Sequence, residues 1–228
     1  MNIQPVQQIK PCVDWNVIET VLLDMDGTLL DKYFDDYFWE HYVPEVYAEQ
    51  NSMTLMEAGK VLLEKYNSKL GTLEWTDLDY WSEKLGLDIP ELKMKVNHLI
   101  DVHPFAVDFL KFCRKLEKRI YMVTNAHSKT LEIKLKKTAI GPFFDKIICS
   151  AEIGTAKEDP EFWPILEKRI GYNPERTMLA DDTEAVLMAA REYGEFGALI
   201  FVARPSSRIP VKFSPDFPSI VYFKELMA

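Results

Sequence analysis

Two aspartates one residue apart, at the end of an apolar run, are the first residues that could do chemistry: Val21-Leu22-Leu23-Asp24-Met25-Asp26-Gly27-Thr28. On an extended backbone, residues i and i+2 point the same way. Asp24 and Asp26 can therefore converge on one point at the carboxyl end of a strand. Gly27 permits a sharp turn there, because without a Cβ it tolerates φ > 0. In open α/β sheets ligands bind outside the carboxyl ends of the strands. Carboxylates gathered in such a place need neutralising, and a hard cation with oxygen ligands is the usual means. The lesser alternative is an acidic strand-to-turn junction without chemistry.

Three later segments follow a related pattern. The apolar run Ile120–Val123 ends in Thr124-Asn125-Ala126-His127. The Thr124 hydroxyl and the Asn125 amide can donate to oxygens on which charge develops, or cap a helix starting near Ser128. His127 reads as a supporting or surface residue. Lys157 lies in Gly154-Thr155-Ala156-Lys157-Glu158-Asp159-Pro160. A fixed ammonium stabilises a carboxylate and a phosphoryl group in transfer; otherwise Lys157 is a solvated loop charge. Met178-Leu179-Ala180 ends in Asp181-Asp182-Thr183-Glu184. These acids can bind a cation, or one of them can cap the helix expected over 184–193.

The elements that must position these residues come from hydrophobic periodicity. Strands are expected over 17–23, 119–123, 146–149, 177–180, 198–202 and 220–223, with helices over 104–118, 128–138, 161–170 and 184–193. Alternating strands and helices imply a parallel sheet covered on both faces, an α/β fold. A parallel sheet carries all the polar strand ends to one edge. Residues 31–100 have a different texture, aromatic-rich and without β-branched runs, and read as helices over 33–50, 55–70, 77–85 and 90–100. Thr54 with Glu57 forms a capping-box signal. Residues 1–16 read as an irregular lead-in, and the core is expected in residues 1–31 and 101–228, interrupted by a helical block at 32–100.

Bulk properties narrow the partners. The net charge of -9 over 228 residues disfavours a nucleic-acid polymer, though a local metal can still hold a small phosphorylated molecule. Cys12, Cys113 and Cys149 follow no metal or redox spacing, which suits a reducing compartment. No segment is long and apolar enough to span a bilayer. Residues 1–10 lack an apolar signal core, so a cytoplasmic location is expected. Lys129, Lys134, Lys136 and Lys137 read as a solvated helix face.

Asp24-Met25-Asp26-Gly27-Thr28 resembles the first motif of the haloacid dehalogenase superfamily of aspartate-nucleophile phosphohydrolases. The resemblance implies a Rossmann-like core with an inserted α-helical cap of type I, closing over the site. It implies Asp24 as nucleophile and Asp26 as general acid/base, chemistry that suits carboxylates. It further implies Thr124, and less directly Asn125, as phosphate contacts, Lys157 as the motif lysine, and Asp182 as a Mg²⁺ ligand beside Asp24 and the Asp26 carbonyl. Asp181 stands where the family often has glycine, so Asp181 and Glu184 remain additional candidates. Tyr37-Phe38-Trp39, Leu78-Asp79-Tyr80-Trp81-Ser82-Glu83 and Asp181-Asp182-Thr183-Glu184-Ala185 look like the bacterial GMP/IMP-type 5′-nucleotidases. That implies a purine nucleoside monophosphate as substrate; another phosphometabolite such as a sugar phosphate, or a non-catalytic binding role, are the alternatives. Tyr37, Phe38, Trp39, Trp75, Tyr80 and Trp81 could stack on a base, or form the core of the helical block. Dehalogenation is disfavoured, since that branch lacks the second aspartate.

Overall fold

The computed structural model describes residues 7–227; what the sequence suggests for positions 1–6 lies outside the described residues. Six parallel strands form one sheet: β1 (Thr20–Leu23), β2 (Arg119–Thr124), β3 (Lys146–Cys149), β4 (Thr177–Asp181), β5 (Ala198–Val202) and β6 (Ser219–Ile220), in the order β3-β2-β1-β4-β5-β6. All four residues of β1 are buried, as a central parallel strand requires. Pleating sends Val21 and Leu23 to one face, in a cluster with Phe109 and Leu110. Leu22 goes to the other, with Phe162, Trp163, Leu166 and Val186. These residues belong to the covering helices α6 (Ala106–Lys115), α9 (Phe162–Ile170) and α10 (Glu184–Tyr193). Helix α7 (Ser128–Thr138) follows β2, and a short α8 (Ser150–Ile153) follows β3.

Between β1 and β2 the chain leaves the sheet and forms helices: α1 (Tyr33–Tyr37), α2 (Val43–Gln50), α3 (Leu55–Asn67), α4 (Leu78–Leu85) and α5 (Ile89–Lys95). This is the expected helical insertion in a Rossmann-like fold. Its entry and exit lie side by side: the Asp31 amide donates to the Asp101 carbonyl at 3.0 Å, and the His103 amide to the Leu29 carbonyl at 2.9 Å.

The boundaries differ from the sequence reading where a local hydrogen bond wins. The single helix expected over 33–50 contains a π turn, Phe38–Tyr42, between α1 and α2. Pro44 sits in the first turn of α2 and has no N–H to offer the preceding turn; the Val43 amide reaches back five residues to the Phe38 carbonyl. Strand β1 starts at Thr20 because the Val17 and Ile18 amides turn back onto the Asp14 carbonyl. The last strand stops at Ile220, since the Val221 and Tyr222 amides are taken by the Glu225 carboxylate at 2.8 and 2.9 Å. The capping box on α3 is present, with Thr54 and Glu57 bonded reciprocally.

Candidate active site

The sheet order reverses at β1, so the carboxyl ends of β1 and β4 open the crevice where α/β folds bind ligands. Leu23 pairs with Ala180 in β4 and with Met122 in β2. That register sets Asp24 level with the ends of both neighbours, and the Asp24 amide donates to the Ala180 carbonyl at 3.1 Å. Asp24, Asp181 and Asp182 each offer a carboxylate oxygen within 4.8 Å of the others. Gly27 makes this packing possible. Its φ is +87°, and a Cβ there would lie 2.4 Å from Asp182 Oδ2.

Lys157 is buried among these acids. Its Nζ donates to Asp24 Oδ1 at 2.5 Å and to Asp181 Oδ2 at 2.7 Å. Its backbone is fixed at both ends. The amide donates to Asn125 Oδ1 at 3.1 Å, and the carbonyl accepts from Trp163 Nε1 at 3.1 Å. Asn125 thus braces the Lys157 loop, and its own Nδ2 donates to Glu158 at 2.8 Å. Asp181 Oδ1 accepts from the Thr183 amide at 2.9 Å, so both its oxygens are engaged. Asp182 is different: no protein donor reaches its carboxylate among the described residues. Thr124 ends β2, is buried, and accepts from the Ala126 amide at 3.0 Å. His127 caps α7, its Nδ1 accepting from the Lys129 amide at 3.4 Å. Glu184 opens α10 and stands outside the carboxylate cluster.

The second aspartate of the pair has a partner that periodicity did not reveal. Asp26 Oδ1 accepts from Lys134 Nζ at 2.5 Å. The same ammonium bonds Asp35 on α1, and Asp35 in turn accepts from Lys93 of α5 at 2.7 Å. Lys134 is 1 % exposed, which corrects its reading as part of a solvated helix face; Lys129, Lys136 and Lys137 are exposed as expected. Lys134 follows Thr130 by one turn on the inward stripe of α7, and Lys93 sits between Ile89, Leu92 and Val96 on that of α5. A lysine inside a buried stripe is the signal that could have exposed both, because such a cation needs a buried anion.

Burial and charge set the protonation of these groups. Burial pushes Asp24 up to about 6, against the pull of Lys157. Burial likewise pushes Asp26 up to about 6, against Lys134. Asp182 is raised well above the usual carboxylate range by burial and by the Asp24 and Asp181 charges. Asp35 goes the other way: burial opposes it, but Lys134 and Lys93 hold its carboxyl below that range. Lys157 stays protonated, since Asp181 and Asp24 outweigh its burial.

Above these groups lies a cavity of about 430 Å³, between the sheet edge and the helical insertion. Its floor includes Asp24, Asp26, Thr124, Asn125, Lys157, Asp181 and Asp182; its upper wall includes Trp39, Tyr66, Trp75 and Trp81. These rings meet edge to face, with centroids 5.1 Å apart for Tyr66–Trp81 and 5.6 Å for Trp39–Tyr66. They are at once the core of the insertion and one face of the cavity. Of the other aromatics singled out from sequence, Phe38 is fully buried, and Tyr37 and Tyr80 pack against the core away from the cavity wall. Tyr66 had not been singled out.

Three comparisons with known proteins bear on this arrangement. A model of the haloacid dehalogenase-like hydrolases matches residues 18–194. The chain is 36% identical over 215 residues to a GMP/IMP nucleotidase, YrfG, of Escherichia coli, covering 94% of this chain and 96% of that protein. It is 20% identical to a phosphorylated carbohydrates phosphatase of Thermotoga maritima, over 78% of this chain and 82% of that one. Among solved structures, an HAD phosphatase from Thermococcus onnurineus superposes with a TM-score of 0.76 at 21% identity, over 92% of this chain and 96% of the other. No helix among the described residues is long and apolar enough to cross a membrane.

Proposed function

The chain belongs to the haloacid dehalogenase-like hydrolases and is a phosphomonoester hydrolase, and we propose that it is a Mg²⁺-dependent 5′-nucleotidase for purine nucleoside monophosphates such as GMP and IMP. The observation that carries this reading is the cavity itself. Its floor holds a buried lysine among carboxylates, suited to a phosphoryl group, and its roof is a wall of aromatic rings, suited to a base. Its volume of about 430 Å³ is in the range of small-ligand sites. The likeness to the GMP/IMP nucleotidase of Escherichia coli extends over the insertion that forms the roof. Residues 32–100 act as the cap and the remainder as the catalytic core.

The donor set fits a divalent cation. Three carboxylates, Asp24, Asp181 and Asp182, face one ammonium, Lys157, which leaves an excess of two negative charges before a phosphate dianion arrives. Asp182, free of protein donors, and Asp24 are the first choice of ligands, with Asp181 and the Asp26 carbonyl completing the set. Bound there, Mg²⁺ would neutralise this excess and polarise the phosphoryl oxygens.

Asp24 attacks phosphorus through a carboxylate oxygen. The bond from phosphorus to the ribose 5′ oxygen breaks, and Asp24 becomes an aspartyl phosphate. The departing alkoxide takes a proton from Asp26. Asp26 then removes a proton from water, which attacks the aspartyl phosphate, releasing phosphate and restoring both carboxyl groups. Lys157 keeps its charge throughout and offsets the repulsion between Asp24 and the phosphoryl oxygens. Thr124, at the end of β2, contacts the phosphoryl group, and Asn125 holds the Lys157 loop in register.

The test is a substrate panel under saturating Mg²⁺. GMP and IMP are expected to exceed sugar phosphates in kcat/KM by at least about tenfold, the worth of one stacking contact. Asp24→Asn should lose activity with its fold retained. Sugar phosphates outranking every nucleotide would overturn the nucleotidase assignment, and an active Asp24→Asn protein would remove Asp24 as the nucleophile.

A further inference from the structure

The ion pair between Lys134 and Asp26 takes no part in the reaction as derived above. Four charges, two buried lysines and two half-buried aspartates, form a chain across four segments: Lys93 on α5, Asp35 on α1, Lys134 on α7 and Asp26 after β1. Two belong to the helical insertion and two to the core. Their charges cancel, so the chain is stable only when complete. Lys134 is 1 % exposed and does not line the cavity, whereas Asp26, Asp35 and Lys93 do. The ammonium therefore stands behind Asp26, on the side away from bound substrate. It engages Asp26 Oδ1 and leaves Oδ2 free of protein donors among the described residues. The rings around this chain reinforce it, with Lys134 Nζ 5.3 Å and Lys93 Nζ 4.8 Å from the Phe34 centroid.

A carboxyl group without that contact would be free to turn about its χ angles at the cavity floor. With one oxygen tied to Lys134, and Lys134 itself tied to the insertion through Asp35, the other oxygen has one direction left. We propose that Lys134 is a positioning residue for proton transfer: it clamps Asp26 between core and cap so that Oδ2 faces the leaving group. Lys134 touches neither substrate nor the reacting atoms. This inference rests on the reading of Asp26 as the proton donor.

Leaving-group dependence separates this role from a structural one. A ribose alkoxide needs a proton to depart, whereas p-nitrophenolate departs without one. A positioning effect on Asp26 must therefore be selective, while loss of folded enzyme lowers both substrates alike. In Lys134→Met, kcat/KM for GMP should fall about 100-fold, within the range general acid catalysis supplies, while kcat/KM for p-nitrophenyl phosphate falls less than about fivefold. Lys134→Gln, which keeps a donor and disturbs the fold less, should show the same selectivity at smaller size. Asp26→Asn is measured beside them, and adding Lys134→Met to it should leave the ratio between the two substrates unchanged. If Asp26→Asn is selective but both Lys134 variants lower the two substrates in parallel, or not at all, Lys134 does not act through Asp26 and the proposal is wrong. If Asp26→Asn itself is not selective, the proton-donor reading fails instead, and this inference with it.

Discussion

Replacing Gly27 with alanine tests the packing that gathers the carboxylates. Two costs follow from the geometry. The first is backbone strain: φ is +87°, where an L side chain is strained, at about 1–3 kcal/mol. The second is a collision. The new Cβ would lie 2.4 Å from Asp182 Oδ2, 2.6 Å from Asp182 Cγ and 2.9 Å from Pro205 Cβ. Pro205 blocks one way out, so the Asp182 carboxylate must retreat by about 1 Å to restore ordinary contact. Mg²⁺ demands near-ideal octahedral geometry, and disturbing the support of a metal ligand costs roughly 10- to 100-fold in affinity. Gly27→Ala should therefore unfold at lower urea concentration in chelator, and bind Mg²⁺ about 10- to 100-fold more weakly by calorimetry. Gly59, in α3, has nothing within 4 Å of its added Cβ and no positive φ. Gly59→Ala should gain about 0.5–1 kcal/mol of stability and leave Mg²⁺ binding unchanged. A Gly27→Ala protein that is destabilised yet binds Mg²⁺ as the parent does would show that Asp182 is not a ligand.

Further consequences are open to measurement. Lys93→Met leaves Asp35 facing one ammonium instead of two in a buried setting, and should cost about 3 kcal/mol, seen as a fall in Tm of about 6–12 °C; an unchanged Tm would mean that the four-charge chain contributes nothing. Asp24 is raised to about 6, so the folded metal-free protein holds a proton there that the unfolded chain releases between pH 4 and 6. The sign is that metal-free stability from this group falls as pH rises through that window, while Mg²⁺ needs the ionised form. The rise in Tm on adding Mg²⁺ should therefore be larger at pH 7.5 than at pH 5.5, and equal shifts would refute it. Trp75, 37% exposed, lines the cavity, and on the nucleotidase reading its ring would stack on the base. Trp75→Ala should raise KM for GMP about fivefold or more and leave kcat/KM for p-nitrophenyl phosphate nearly unchanged; parallel changes would assign Trp75 to the cap core alone.

What was legible in the sequence follows from what each signal measures. Strands β3 and β5 and helices α7 and α10 fall on the expected residues, because an apolar run or stripe records burial directly. The polar ends of β1, β2 and β4 meet, as a parallel sheet requires, but Lys157 joins them from the loop beyond α8 and not from the end of β3. The π turn before Pro44, the early end of β6 and the short α8 were not legible. A missing donor at Pro44, two hydrogen bonds to Glu225 and the Gly154 amide bonded back to the Ser150 carbonyl decide them in turn, and periodicity is blind to each. Lys134 and Lys93 were hidden for a different reason. A lysine on a helix reads as solvated unless its anion is known, and the anions lie far off in the sequence: Asp26 is 108 residues from Lys134, and Asp35 is 58 from Lys93. Within α7 only the turn spacing from Thr130 to Lys134 hinted at the inward face.

The two buried clusters differ in charge balance, and this difference assigns their work. Around Asp24 three carboxylates share one ammonium; around Asp26 two carboxylates share two. The first cluster is short of positive charge and gains by admitting a cation together with a phosphate. The second is neutral as built, so a cation entering there would meet Lys134 and Lys93 and be repelled. In the proposed reaction a metal would therefore collect on the Asp24 side, where it would lower the cost of bringing a carboxylate up to an anionic phosphoryl group. Burial raises the Asp26 carboxyl, Lys134 pulls it down, and the Asp35 and Asp24 charges add to the rise. Two aspartates one residue apart, pointing to one cavity, are in this way set in different environments by their neighbours, and the proposed reaction uses that difference, with Asp24 as its nucleophile and Asp26 as its carrier of the proton.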